Sequence, residues 1–397
     1  MKCWQTRVIG TVTWATLGCG SAVESTPTRD DGTALQADTL DAGSTWNDAG
    51  ADAGSPKAMD SAEASPPSLL ASPVDQAGPF GVGYRTFSTT YSPVGQTSAR
   101  TLKVHVWYPT TATTGEHPQY VDFFPDTVSL IDAPPSPPVE AAGYPVLVHS
   151  HGHMGFAGNS AFLMRSFASH GWVAIAPDHT GNTLLDNVEP RPPALYYLRS
   201  LDVSAALDAT VTQAATWLGG ATLRSDRVVL SGHSFGVHTC WASGGATFVS
   251  GPTFDSAQCA TCTPAEKAVF AKGVRDPRIV ALIPMAGSIS RDWFGPTGHT
   301  SVTVPVLALS GGADPVGADK QFDTTQGVNL TWVELAGACH QTFGFGCDTF
   351  EAALGFRIIS TYALAFARTH VLGDTSVTDI LEGKVPVSAA VTLKRHL

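Results

Sequence analysis

Short apolar runs alternate with segments of helical period along most of this chain, and that alternation narrows the choice of fold more than any other feature. The stretch 101–108 alternates polar and apolar residues in the manner of a strand. The stretches 145–148, 172–176, 228–230, 279–283, 304–309 and 330–335 are short and apolar. Segments of helical spacing at 160–170, 198–218, 235–246 and 350–369 are interleaved with them. Strands apolar on both faces need cover on both sides. The pattern therefore predicts an α/β protein with a mostly parallel central sheet and helices on both faces. In such sheets ligands bind at the carboxyl ends of the strands, so chemistry is expected just after the apolar runs.

Composition sets the outer limits. The chain has 397 residues, 43% of them hydrophobic, with a net charge of −11. Phosphate contacts need clustered Lys and Arg, so a nucleic-acid partner is not expected. No apolar run approaches the roughly 18 residues of a membrane-spanning helix. Lys2 and Arg7, a short apolar stretch at 8–17 and small residues at 18–21 have the layout of an export signal over 1–19. Thr16-Leu-Gly-Cys19 is similar to a bacterial lipobox, with Thr16 where Leu is usual, which makes Cys19 a candidate lipidation site and membrane tether. The segment 20–77 is rich in Asp, Ala, Gly, Ser and Pro and is expected to be a disordered linker. Its 20–75 portion holds ten acidic and two basic residues, so most of the net charge lies outside the segment 78–397, the expected folded domain.

Gly232-His-Ser-Phe-Gly236 follows the apolar run 228–230 and opens a segment of helical period. This is a G-x-S-x-G turn in a strand–turn–helix setting, which pushes the serine out at the strand end. Ser234 is thereby the candidate nucleophile. A serine hydroxyl needs a general base, and the base an orienting acid. His340 follows the last apolar run through Ala336-Gly-Ala-Cys339 and is the candidate base. Asp314 follows the 304–309 run through Ser310-Gly-Gly-Ala313 and is the candidate acid, with Asp292 in reserve. Backbone donors for an oxyanion are expected from Phe235 and from the loop after 146–148, where His153 is favoured over Met154. The histidines at 149, 151 and 153 also admit a zinc reading, with Asp178 and His179 nearby. The nucleophile turn explains more with fewer assumptions, and no metal or cofactor is expected.

At these residues the sequence resembles the α/β-hydrolase family. More narrowly it is similar to secreted platelet-activating-factor acetylhydrolase and its bacterial dienelactone-hydrolase-like relatives. Tyr-Pro-Val-Leu-Val-His-Ser-His-Gly at 144–152 is similar to that group's YPxVVFSHG. The segment at 168–179 is similar to its LASHGYVVxAxDH, Gly232–Gly236 to its GHSFG, and His340-Gln-Thr-Phe343 to its HQxF. The resemblance spans about 78–370. It implies a serine esterase of short or oxidised acyl esters that needs no metal, with Ser234 and His340 carried over directly. Val237 stands where the family usually has a second Gly. The segment 283–286, where the animal enzyme has its acid, holds no carboxylate, which leaves Asp314 as in bacterial relatives.

Export makes disulfides plausible. Cys339 and Cys347 flank the His340 loop and are expected to pair, as are Cys259 and Cys262; Cys240 is expected to be a buried free thiol. Phe156, Trp293, Phe343 and Phe345 are candidate acyl-pocket walls. The excursion 248–276 reads equally as a small lid or a surface loop. The sequence thus points to an exported monomeric serine esterase acting on a small-molecule or lipid ester. A cutinase-like polyester hydrolase and a non-catalytic surface-binding module are the alternatives.

Overall fold

The computed structural model describes residues 68–396 apart from 317. The expected signal over 1–19, its Cys19, and the greater part of the expected linker lie outside the described residues. The described chain forms β1 (Gly81–Tyr91), β2 (Arg100–Thr110), the short β3 (Gln119–Tyr120), β4 (Phe124–Pro125) and β5 (Leu130–Ile131), then β6 (Tyr144–Ser150) and β7 (Val173–Pro177). It continues with β8 (Leu223–His233), β9 (Ile279–Met285), β10 (Val306–Gly311), β11 (Leu330–Leu335) and β12 (Val391–His396). Helices α1 (Ala161–Ser169), α2 (Leu195–Trp217) and α3 (Phe235–Gly244) alternate with strands in the first part. The short α4 (Pro252–Ala257), α5 (Pro264–Lys272), α6 (Arg291–Phe294) and α7 (Ala318–Thr324) precede α8 (Ala352–Ala367) and α9 (Thr378–Leu381).

Ten strands form one sheet in the order β12-β11-β10-β9-β8-β6-β7-β2-β1-β5. From β7 through β6, β8, β9 and β10 to β11 neighbours run parallel; β2 and β12 close this block antiparallel on either side. Period-two alternation divides the apolar strand residues between two cores. Val146, Val148, Val228, Leu230 and Leu282 face α2 and α3. Leu147, Val229, Ala281, Ile283 and Leu307 face α1 and α8. Every residue of β6 is buried, which is why that strand reads as a continuous apolar run rather than an alternating one. The expected layering is what the chain adopts.

Two differences from the expectations have clear causes. The folded region begins before Gly78. Leu69 and Val74 are buried, and the fully buried Arg368 donates from Nη1 to the Ser72 carbonyl at 2.7 Å and from Nη2 to the Leu70 carbonyl at 2.6 Å. Composition alone marks 68–77 as linker; an arginine almost three hundred positions away supplies the donors that order it. The excursion 248–276 forms α4 and α5 and packs inward through Phe248, Phe254 and Phe270, all in the core, with Phe254 and Phe270 against Trp293. Thr263 starts α5 with a reciprocal cap: its side chain accepts from the Glu266 N–H, and Glu266 accepts from the Thr263 N–H.

Candidate active site

Strand β8 delivers Ser234, and the turn after it is strained. Ser234 has φ +56° and ψ −116°, an arrangement that non-glycine residues rarely adopt. The flanking glycines allow the turn. A Cβ on Gly232 would stand 2.3 Å from the Gly236 carbonyl oxygen, and one on Gly236 would stand 2.0 Å from the Ser150 carbonyl oxygen. Helix α3 begins at Phe235, so its free N-terminal N–H groups gather beside the serine.

His340 opens a short 3₁₀ turn after β11, and Asp314 follows β10. His340 Nε2 lies 2.9 Å from Ser234 Oγ, and His340 Nδ1 lies 2.9 Å from Asp314 Oδ2. A carboxylate only accepts, so the ring proton sits on Nδ1. Nε2 is left with a lone pair toward the serine hydroxyl, the arrangement a general base requires. The second Asp314 oxygen accepts the Val316 N–H at 3.0 Å. The Asp314 side chain is fully buried while a quarter of the His340 side chain is exposed, so solvent reaches the imidazole but not the carboxylate. The reserve residue Asp292 lies in α6 and makes no part of this chain of contacts.

His233, which sequence reading passed over, braces the His340 turn from below. Its Nε2–H donates to the His340 carbonyl at 3.1 Å. Burial, and then the neighbouring His340, push its pKa down to about 3, so it stays neutral and remains a donor over the working pH range. Its position inside the G-x-S-x-G motif was the available signal. The Cys339–Cys347 disulfide brackets the same loop, and Cys259 pairs with Cys262. Cys240 is free and buried, and burial raises its pKa.

The loop after β6 runs against Ser234: a Cβ on Gly152 would stand 3.0 Å from Ser234 Cβ. The His153 ring meets the Phe235 ring edge-on at 6.5 Å. Asn182 Nδ2 donates to His153 Nδ1 at 2.7 Å, and His153 Nε2 lies 3.0 Å from Glu189 Oε1. Met154 is exposed and has φ +55°. The three histidines of the zinc reading do not converge. His149 Nδ1 bonds Ser231 Oγ, His151 Nδ1 bonds the Gly152 carbonyl, and His153 bonds Asn182. Among the described residues no group of three His, Cys, Asp or Glu is placed to hold a metal ion.

The aromatic candidates separate. Phe343 is fully buried, packed in the core that includes α8, although it stands only three residues after His340. Trp293 is buried and stacks on Tyr196 at 3.7 Å; Tyr196 in turn meets Phe235 at 5.0 Å. Of the two, Tyr196 is thus the one beside the elbow; the sequence marks only its segment, the proline-rich stretch 184–197, as one that could shape the leaving-group side. Phe156 is buried with its ring 5.2 Å from Phe124, and Phe124 stacks at 4.8 Å on the exposed Phe345. Leu185 and Val188, in the loop tied to His153 through Asn182 and Glu189, are also exposed.

No family model matches the chain, and no curated protein does. Among solved structures it is similar to a ferulic acid esterase from Streptomyces cinnamoneus. The identity is 19%, the TM-score 0.58, and the match covers 82% of this chain and 98% of that one. The chain has the α/β-hydrolase fold. Among the described residues no helix is long and apolar enough to cross a membrane.

Proposed function

We propose that this chain is an exported serine carboxylic-ester hydrolase. The observation that carries the reading is the unbroken contact line from Asp314 through His340 to Ser234, two bonds of 2.9 Å each, ending on a serine held in a strained elbow. His340 takes the Ser234 proton as Oγ attacks the ester carbonyl. The N–H groups of His153 and Phe235 receive the oxyanion, and Asp314 stabilises the imidazolium. Protonated His340 then gives its proton to the departing alcohol. Water, activated by the same imidazole, releases the acid from the acyl-enzyme.

The resemblance of four sequence segments to platelet-activating-factor acetylhydrolases favours a short acyl chain on a lipid alcohol. The esterase named among similar structures favours the same bond type. The signal-like N-terminus and the two disulfides favour export. Two measurements test the reading. A fluorophosphonate probe labels Ser234 if it is an activated nucleophile; a binding module would not react. Ser234→Ala lowers ester hydrolysis by several orders of magnitude; activity within about tenfold of the parent overturns the mechanism. A panel of p-nitrophenyl esters of rising length, a 2-acetyl phospholipid, a feruloyl ester and an aliphatic polyester film assigns the substrate class.

A further inference from the structure

Behind the oxyanion loop lies a buried polar network that the mechanism above does not use. Its most conspicuous part has the spacing of a second Ser–His–Asp relay. Ser150 Oγ lies 2.9 Å from His179 Nε2, and His179 Nδ1 lies 2.9 Å from Asp202 Oδ2. All three are fully buried, so no ester carbonyl can reach Ser150. Arg100 already occupies both Asp202 oxygens, at 2.6 and 2.8 Å. This relay cannot be a nucleophile; it can hold something still.

What it holds is Arg199. This guanidinium is fully buried on α2, and every acceptor it reaches directly is neutral. Nη2 donates to Ser150 Oγ at 3.1 Å and to the His151 carbonyl. Nη1 donates to Asn182 Oδ1 at 2.7 Å, and Asn182 passes the contact on to the His153 ring. Nε donates to Thr239 Oγ1 on α3 at 3.2 Å. Burial lowers the Arg199 pKa to about 9, which still leaves it charged at neutral pH. The next carbonyl along, that of Gly152, is held separately. It accepts the His151 Nδ1–H at 2.7 Å and the Gly155 N–H at 3.2 Å.

Because C=O and N–H point in opposite directions across a trans peptide, fixing a carbonyl fixes the N–H that follows it. Pinning the Gly152 carbonyl aims the His153 N–H the other way. Pinning the His151 carbonyl and the His153 ring stops the two peptides from rotating together. We propose that Arg199 is a positioning residue. It ties down both sides of the oxyanion loop, through the His151 carbonyl and through Asn182, and so keeps the Gly152–His153 peptide, whose own carbonyl His151 and Gly155 hold, from swinging its N–H away. The inference rests on the esterase reading, since it assigns Arg199 a part in stabilising that reaction's tetrahedral species. A planar fork is needed because one group must donate along several fixed directions; a lysine ammonium keeps the charge but cannot span both arms.

The test uses the full chain and four proteins: the parent, Arg199→Lys, Asn182→Ala and Ser234→Ala. Thermal unfolding first identifies which variants are folded, and Asn182→Ala stands in if the arginine variant is not. Folded Arg199→Lys is expected to lose roughly 10- to 100-fold in kcat on a p-nitrophenyl ester, the range for a misaimed donor. KM is expected to stay within about threefold, since ground-state binding does not need the oxyanion donor. The decisive readout is a trifluoromethyl ketone, which forms a tetrahedral adduct on the serine. Its affinity is expected to fall in parallel with kcat/KM, while inhibition by the primary alcohol of the same chain length, which has no carbonyl oxygen for the donors, is unchanged. A merely structural role would not separate the two inhibitors. Parent-like kcat in both folded network variants, or a loss of kcat without loss of ketone affinity, overturns the clamp. Parent-like activity in Ser234→Ala overturns the esterase mechanism itself, and the clamp with it.

Discussion

Replacing Asp314 by Asn tests the most specific consequence of the site geometry, because it changes one proton and almost no volume. Oδ1 of Asp314 accepts the Val316 N–H at 3.0 Å, and Oδ2 accepts the His340 Nδ1–H at 2.9 Å. An asparagine keeps its carbonyl oxygen on the Val316 N–H, since the amide nitrogen has no lone pair to offer there. Its NH₂ then faces His340 Nδ1. The imidazole responds by moving its proton to Nε2, the atom 2.9 Å from Ser234 Oγ. The base becomes a donor toward the nucleophile it should deprotonate. The corresponding change in serine proteases costs about 10⁴ in kcat. At 1.36 kcal/mol per decade this is about 5 kcal/mol of lost transition-state stabilisation. Initial-rate hydrolysis of p-nitrophenyl acetate at pH 7.5 reads the loss, with near-ultraviolet circular dichroism confirming the fold. Asp292→Asn, away from the contact line, is expected to keep parent activity. A kcat within tenfold of the parent in Asp314→Asn would refute the tautomer argument, and with it the role given to the 26-residue reach between Asp314 and His340.

Gly236→Ala is expected to abolish activity and lower stability, because its Cβ would meet the Ser150 carbonyl oxygen at 2.0 Å, backbone against backbone; parent-like activity would deny the close approach of elbow and oxyanion strand. Stability is expected to fall as pH drops below neutrality. Burial lowers the pKa of His149, His233 and His238 to about 3 and that of His179 to about 4, so below pH 6.5 the unfolded chain binds protons that the native chain refuses. Each such histidine removes up to about 1.4 kcal/mol per pH unit until its native pKa is reached. Urea titrations at pH 7.5 and 5.5 check the sign, and equal or greater stability at pH 5.5 contradicts it. Opening the Cys339–Cys347 bridge by Cys347→Ser is expected to cost about 2 kcal/mol. The loss should appear as a lower urea midpoint, with activity reduced through the His340 loop; no change in either would show that the bridge does not hold the base.

The layering and most element positions could be read from the chain before any coordinates. The apolar run 330–335 is β11 without a residue's difference, and the 235–246 segment is α3 at its start. Those elements announce themselves because buried parallel strands are locally apolar and the elbow has its own local glycine code. The edges did not. β1 carries a mixed sequence, and β12 has a half-exposed one, so each is specified by the neighbour it pairs with rather than by its own pattern. Phe343 shows the same limit within the site. Its nearness to His340 in sequence suggests a pocket wall, but packing among the α8 side chains encloses it while His340 stays a quarter exposed.

What the sequence determined is local in origin: which segments are strands and helices, where the strained turn falls, and which residue types stand at the strand ends. Tertiary structure decided everything that needs two distant segments at hydrogen-bond range. It placed Asp314, His340 and Ser234 in one line, set Arg368 on the carbonyls of Leu70 and Ser72, and buried Arg199 behind the loop that follows β6. A polar side chain looks the same in sequence whether it will be solvated or enclosed. Only packing removes the water, and once the water is gone the remaining partners fix where each proton must lie.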